Sequence, residues 1–328
     1  MTEMRDLIAD LPDQLRWAAE MSPPDMPYAE EALVVGMGGS GVAGDVAAVF
    51  AEAHGRRVAV HKSYGLPGWA EASRPLVIGV SHSGNTEETL SAVEATITEG
   101  LPVGTMSTGG ALAEIAREHG IPHVEIPDGP QPRAAMGYLS GAVLRVLESS
   151  GVVGATATGL LEAAQVVEDL LGGEAQKQAE NLAEALDGRI TIVYGTPGVT
   201  STAAGRWKTQ INENSKAPAY WSAFPELDHN ELVGWTAHPD LGADSVGIVL
   251  LTDSGDDPRV GRRVRLTREL MEGVEVAGEV ASRGEGVLAR LFSLVIVGDL
   301  VSVALAERSG VDPMPVEVIE KLKKRLAE

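Results

Sequence analysis

The stretch Leu76-Val77-Ile78-Gly79-Val80-Ser81-His82-Ser83-Gly84-Asn85-Thr86-Glu87-Glu88-Thr89 changes character in its middle. The first five residues are an apolar run of the length expected of a strand buried on both faces. Small and hydroxyl-bearing residues follow around Gly84, and the pattern then turns helical to about Glu99. A buried strand that ends in such a turn and runs straight into a helix is half of a βαβ unit. The turn has the make-up of a phosphate-binding loop. Hydroxyls at Ser81, Ser83 and Thr86 can donate to phosphate oxygens, while backbone N–H groups and the dipole at the helix start add attraction. No Gly-Lys-Ser/Thr follows, so it is not a P-loop. The plainer alternative is that Thr86 only caps the helix, with Thr89 as a poor capping box. That leaves Ser81 and Ser83 without a task.

Working outward, the alternation repeats. Ala32–Val35 reads as a strand, followed by a glycine-rich turn, a helix to about His54 and a second strand at Arg57–His61. Pro75–Val80 is the third strand. Pro102–Met106 and Pro122–Ile126 read as two more, with the helix Ala111–His119 between them, and a helix from Arg133 to Ser150 closes the half. The second half begins with a helical region, Leu160–Leu186, broken near Gly172-Gly173. A strand at Arg189–Tyr194 runs into the small polar turn Gly195–Thr202. Another at Val246–Thr252 ends in Asp253-Ser254-Gly255-Asp256. The helix Pro258–Met271, the strand Val274–Val280 and the helices Glu285–Arg308 and Val316–Ala327 complete it. The pattern predicts an α/β protein of two doubly wound parallel-sheet subdomains, each a three-layer α/β/α unit. They are expected at residues 1–152 and 153–328, parted by the small residues after Ser149-Ser150-Gly151.

Composition narrows the function. Hydrophobic residues make up 44% of the 328 and aromatics only 4%, so Val, Leu, Ile and Ala must build the core. The net charge of -21 opposes binding to nucleic acid or anionic membranes, which needs clustered Lys and Arg. It also means that a phosphate must be held by local dipoles and hydroxyls. There is no cysteine, hence no disulfide, thiolate zinc site or cysteine nucleophile. The seven histidines form no H-x-H or H-x-x-x-H group, so no metal site is expected. No cofactor is expected either. Gly36-Met37-Gly38-Gly39-Ser40-Gly41 satisfies the letters of a dinucleotide fingerprint, but the second strand ends His61-Lys62-Ser63, with no carboxylate for the ribose. The acidic start Met1-Thr2-Glu3-Met4-Arg5-Asp6 lacks the signal-peptide pattern. The apolar stretch Val287–Leu305 is interrupted by Arg290 and Asp299 and reads as a core helix, not a membrane span. A cytoplasmic protein is expected.

Two polar segments can carry chemistry: Arg206 to Lys216, and Pro225-Glu226-Leu227-Asp228-His229-Asn230-Glu231-Leu232. Glu213 and His229 have the residue types of a base and an acid. Taken singly each is unremarkable, since an isolated Glu is usually solvated and a His between Asp228 and Asn230 usually satisfies its hydrogen bonds locally. With no metal site and no Gly-x-Ser-x-Gly elbow, a reaction on a phosphorylated substrate points towards proton transfer.

In combination these motifs resemble the sugar isomerase (SIS) superfamily and, within it, the bifunctional phosphoglucose/phosphomannose isomerase family of archaea and bacteria. The resemblance rests on Gly36 through Gly41, Ser81 through Thr89, Pro132-Arg133-Ala134-Ala135-Met136-Gly137-Tyr138, Asn212-Glu213-Asn214-Ser215-Lys216, Glu226 through Glu231, and Ile319-Glu320-Lys321-Leu322-Lys323. It implies two SIS-type subdomains and a hexose 6-phosphate substrate, gripped at the phosphate by Ser81, Ser83 and Thr86, with Gly39 and Ser40 lining the sugar pocket. Arg133 would stabilise the enediolate, and Glu213 would carry the proton between C1 and C2 without a metal. His229 and Lys323 would assist ring opening. Family members are homodimers in which this histidine reaches the neighbouring subunit's site.

The chain departs from the family at two places. His82 stands where Tyr is common. Dual-specificity members also carry a threonine seven residues before the C-terminal lysine, and counting back from Lys323 gives Val316, from Lys321 Met314. Neither has a hydroxyl, so the resemblance implies glucose 6-phosphate first and mannose 6-phosphate second. The alternative is a non-catalytic SIS sugar-phosphate sensor; such sensors append a DNA-binding domain, for which this chain has neither room nor charge. A glutamine-dependent aminosugar enzyme needs an N-terminal cysteine and is excluded, whereas an ammonia-dependent deaminase stays open.

Overall fold

Among the described residues, nine strands form two sheets in which every neighbouring pair is parallel. The first contains β1 (Glu31–Val35), β2 (Arg57–His61), β3 (Leu76–Val80), β4 (Val103–Ser107) and β5 (His123–Glu125), in the order β2-β1-β3-β4-β5. The second contains β6 (Ile190–Gly195), β7 (Ala219–Ala223), β8 (Val246–Thr252) and β9 (Val276–Ala281), in the order β7-β6-β8-β9. This computed structural model describes residues 3–129, 131–237, 245–271, 273–274 and 276–326. Ala327, Glu275 and His238, which entered the sequence reading, lie outside them. The α/β, doubly wound class is the one expected.

β3 shows why the apolar run decided the fold. It is central, and all five of its residues are buried. Ala32 is paired with Leu76 on the strand beside it, and Val35 with Gly79. Leu33, Val35 and Val77 pack with Ala92 and Val93 of the helix Glu87–Thr98 and with Leu112 of the helix Gly110–His119. A parallel strand cannot pair by a hairpin, so each crossover helix must cover a face of the sheet.

The chain forms two compact units. One comprises Ala9–Asp169 and Arg283–Ser293 and holds the five-stranded sheet; the other comprises Met1–Ile8, Leu170–Ser282 and Leu294–Glu328 and holds the four-stranded one. The helix Val287–Arg308 is long and apolar enough to cross a membrane, but most of its residues are buried in the protein.

Several elements differ from the sequence reading. β7 was not anticipated; it is an edge strand whose Tyr220 and Trp221 are exposed, so it lacks the apolar alternation that marks a half-buried strand. The helices Glu3–Ala9 and Leu11–Glu20 precede β1. The segment from Arg133 begins as a 3₁₀ turn, Pro132–Ala134, before the α-helix Met136–Ser149. After the helix Val199–Gln210 the chain makes a π-helical turn, Ile211–Ser215.

Candidate active site

In a doubly wound sheet, ligands bind beyond the carboxyl ends of the strands where the strand order reverses. In the first sheet that point lies between β1 and β3, and the two turns singled out by sequence follow these two strands. The Ser81 hydroxyl lies 2.8 Å from that of Thr86 and accepts from the Thr86 N–H at 3.4 Å. Two hydroxyls that share one hydrogen bond leave one O–H proton over. Thr86 occupies the N-cap of the helix Glu87–Thr98, yet makes no side-chain cap bond, and the Thr89 hydroxyl donates to the Val80 carbonyl. The capping alternative therefore fails, and the first turn of the helix retains uncapped N–H groups. Ser83 is exposed, and its hydroxyl accepts from the Asn85 N–H at 3.3 Å. Gly84 has a φ of 70°, and a Cβ there would collide with the Gly109 carbonyl oxygen.

The glycine-rich turn meets this loop directly: the His82 N–H donates to the Ser40 hydroxyl at 3.2 Å. Gly39 approaches the Arg133 turn so closely that a Cβ would stand 2.9 Å from the Pro132 oxygen. The structure thus gathers Gly39, Ser40, Ser81, Ser83, Thr86 and Arg133 within one unit. Arg133 itself is buried. Its turn is clamped by Gln14, which donates to the Ala134 oxygen at 2.7 Å and accepts from the Gly137 N–H at 3.0 Å. Sequence reasoning missed Gln14, because a Gln on an amphipathic helix carries no sign of partners more than a hundred residues away. It also passed over Asn85, whose side chain bridges the Ser83 oxygen and the Ala111 N–H.

His82, between the two serines, is buried, and its Nε2 finds no partner among the described residues. Burial holds its pKa below the ordinary value of 6.5, and Asp128 opposes the shift.

Glu213, His229 and Lys323 belong to the other unit. Glu213 sits half-buried in the π-helical turn. π turns are rare and concentrate at functional sites. Here the surroundings fix the turn. Trp207 donates to the Leu294 oxygen at 2.8 Å, and Arg206 forms a buried two-pronged pair with Asp299 at 2.8 and 3.1 Å. Asn214 donates to the Ser302 hydroxyl at 2.9 Å. Burial pushes the Asp299 carboxyl up, and Arg206 offsets only part of it.

His229 ends the 3₁₀ turn Glu226–His229 and is exposed. Its neighbours are engaged elsewhere: Asp228 accepts from Thr267 at 2.7 Å and from Arg263 at 3.2 Å, and Asn230 donates to Glu226. On the far side, the buried Tyr194 hydroxyl donates to Glu231 at 2.9 Å and accepts from Trp235. The locally satisfied histidine is thus not what forms; no hydrogen bond to its ring is found among the described residues. Lys321 and Lys323 both lie on the exposed helix Glu317–Leu326. Lys321 pairs with Glu317 at 3.7 Å, and among the described residues Lys323 has no such pair. Val316 and Met314 are half-buried just before that helix.

A cavity of about 810 Å³ lined by Tyr28, Arg56, Arg57 and Arg74 opens elsewhere in the first unit. Glu31 and Arg57, which begin β1 and β2, line it too, so it lies at the amino ends of the strands, away from the turns described above.

The comparisons with known proteins give the family. A protein of Caldicellulosiruptor bescii named bifunctional phosphoglucose/phosphomannose isomerase is 37% identical over 99% of each chain. The chain belongs to that family. A second bifunctional phosphoglucose/phosphomannose isomerase, from Aquifex aeolicus, is 38% identical over 99% of both chains. The family model for the bacterial phospho-glucose isomerase C-terminal SIS domain matches residues 175–326. Among solved structures, tagatose-6-phosphate ketose/aldose isomerase from Escherichia coli superposes with a TM-score of 0.70 at 14% identity, covering 94% of each chain. That likeness shows the same overall fold along 94% of the chain.

Proposed function

We propose that this protein interconverts glucose 6-phosphate and fructose 6-phosphate through an enediol, with mannose 6-phosphate as its second aldose. Its family makes it an aldose–ketose isomerase of sugar phosphates, and the non-catalytic sensor is not favoured. The observation that carries the substrate class is the uncapped helix start at the Ser81–Thr86 turn, lying where the strand order reverses. In a chain of net charge -21, such neutral donors are the means available to hold a phosphate.

In this scheme Ser83, Thr86 and the first N–H groups of the helix take the phosphate, while Ser81 donates to Thr86 and orients it. Gly39 and Ser40 leave space for the sugar. Glu213 removes the C2 proton of the open-chain aldose and returns it to C1. Arg133 stabilises the negative charge on oxygen as the enediolate forms, and His229 and Lys323 move protons during ring opening. The exposed His229 ring, without a hydrogen bond among the described residues, supports a homodimer in which it serves the neighbouring subunit. The two subdomains, 1–152 and 153–328, divide the work between phosphate grip and proton transfer, and we place the enzyme in the cytoplasm.

Glu213→Gln tests the base. General acid–base catalysis contributes roughly 10²–10⁴-fold, and the variant is expected to lose about that much in kcat while still binding substrate. Solvent deuterium should appear at C2 with the wild type and not with the variant. Turnover by Glu213→Gln near the wild-type rate would remove the assignment. The scheme uses no metal, so a chelator is expected to leave the rate unchanged.

A further inference from the structure

Lys216 closes the π-helical turn in a conformation that suits it poorly. Its φ of 57° and ψ of 16° lie in the left-handed region, and among the described residues Arg74 is the other non-glycine with positive φ. Gly or Asn is the usual residue at such a helix end. A lysine there needs a reason in its side chain, and the hydrogen bonds supply one. Its Nζ donates to the Glu213 carbonyl oxygen at 2.5 Å and to the Pro313 carbonyl oxygen at 3.2 Å.

Each of these acceptors has a physical context. The residue five places after Glu213 is Pro218, which has no N–H, so the π pattern cannot continue onto the Glu213 carbonyl. The second acceptor precedes the helix Glu317–Leu326, none of whose residues is buried. That helix has little packing of its own to fix it, so its placement depends on the segment leading into it. The other anchors of the turn point elsewhere: Asn214 to Ser302, and Asn212 to the Ala217 oxygen at 2.9 Å.

We infer that Lys216 is a positioning residue for the isomerisation, holding the Glu213 turn and the approach to the Lys323 helix at a fixed distance through one ammonium group. It touches no substrate and acts through the two backbones it joins. The inference rests on Glu213 being the base.

Three substitutions separate this role from a merely structural one. Lys216→Gly relieves the left-handed strain while removing the donors. Lys216→Met keeps the stem and loses the charge, and Lys216→Arg keeps a donor. A small misplacement of a catalytic group costs up to about 100-fold, so the Gly and Met variants should lose roughly 10- to 100-fold in kcat with KM for glucose 6-phosphate changed less than about threefold. Lys216→Gly should melt no lower than the wild type, and amide exchange over residues 314–323 should quicken in both variants. Lys216→Arg should recover part of kcat. If Lys216→Gly turns over at the wild-type rate while Glu213→Gln is inactive, Lys216 positions nothing. A fall in kcat matched by a fall in melting temperature, with no recovery in Lys216→Arg, would equally overturn the proposal. Should Glu213→Gln itself remain active, the base assignment has failed, a different result from either.

Discussion

At the carboxyl ends of β1 and β3 the hydroxyls of Ser81 and Thr86 hold each other beside an uncapped helix start, whereas at the carboxyl ends of β6 and β8 the equivalent place already contains an anion. There the Thr196 hydroxyl donates to Asp256 at 2.7 Å and lies 2.6 Å from that of Thr200, which also accepts from the Thr196 N–H. The other Asp256 oxygen accepts from the Asp253 N–H, and Asp253 accepts from Ser282. Both sheets reverse their strand order at the corresponding point, and both present small polar turns there. The same topology thus yields a site for an external anion in one unit and a self-satisfied joint in the other. What decides between them is one carboxylate from the chain itself.

Importing that carboxylate into the first turn gives the largest expected effect. Thr86→Asp sets a negative charge where the substrate phosphate should sit. Two unit charges about 4 Å apart near a surface repel by roughly 4 kcal/mol, so KM should rise about 100-fold or more. Asp is also a preferred N-cap, so the melting temperature should hold or rise. Binding lost with stability kept would confirm that the turn grips the anion; an unchanged KM would sink the idea.

The converse change is smaller. Asp256→Ala removes the carboxylate that accepts from the Thr196 hydroxyl and the Asp253 N–H, which costs about 1–2 kcal/mol, readable in urea unfolding. Because that turn is taken to hold no substrate, kcat/KM should stay within about twofold of wild type. A large loss of activity at full stability would show that the second turn takes part in the reaction.

The smallest effect concerns pH. The folded fold accommodates His82 neutral, with a pKa below its unfolded value of 6.5. Its contribution to stability is complete above that value and lost as pH falls through it toward the lower folded pKa. Half-buried His123 shifts in the same direction, so wild-type stability should decline on acidification below about pH 6.5. Asp128 faces His82 and softens the decline. His82→Tyr should flatten its share of the profile in denaturant titrations from pH 8 to 5.

Much of this contrast was legible beforehand. Buried parallel strands announce themselves as apolar runs, and the Ser81–Thr86 turn stood out because three hydroxyls around a glycine exceed what a helix cap needs. Glu213, His229 and Lys323 entered through the family resemblance, and spacing alone left them ordinary. β7 was hidden because an edge strand with exposed Tyr220 and Trp221 has no apolar period to detect. The π turn was hidden because Ile211 continues the preceding helical pattern, and the extra residue shows only in the backbone. Nothing in Asp253-Ser254-Gly255-Asp256 told that Asp256 would fold back onto Thr196, and nothing in Gln14 announced the Arg133 clamp. Such partners are set by the tertiary fold, so the letters around each residue are silent about them.

The long apolar helix Val287–Arg308 has a consequence for how the chain is made. By length and composition the segment resembles a membrane anchor, and until the fold buries it the insertion machinery can compete for it. Asp299, near its middle, raises the free energy of insertion by roughly 2.5–3.5 kcal/mol. The carboxylate that pairs with Arg206 in the core therefore serves also as a sorting mark, opposing insertion of the segment until it packs against the rest of the chain.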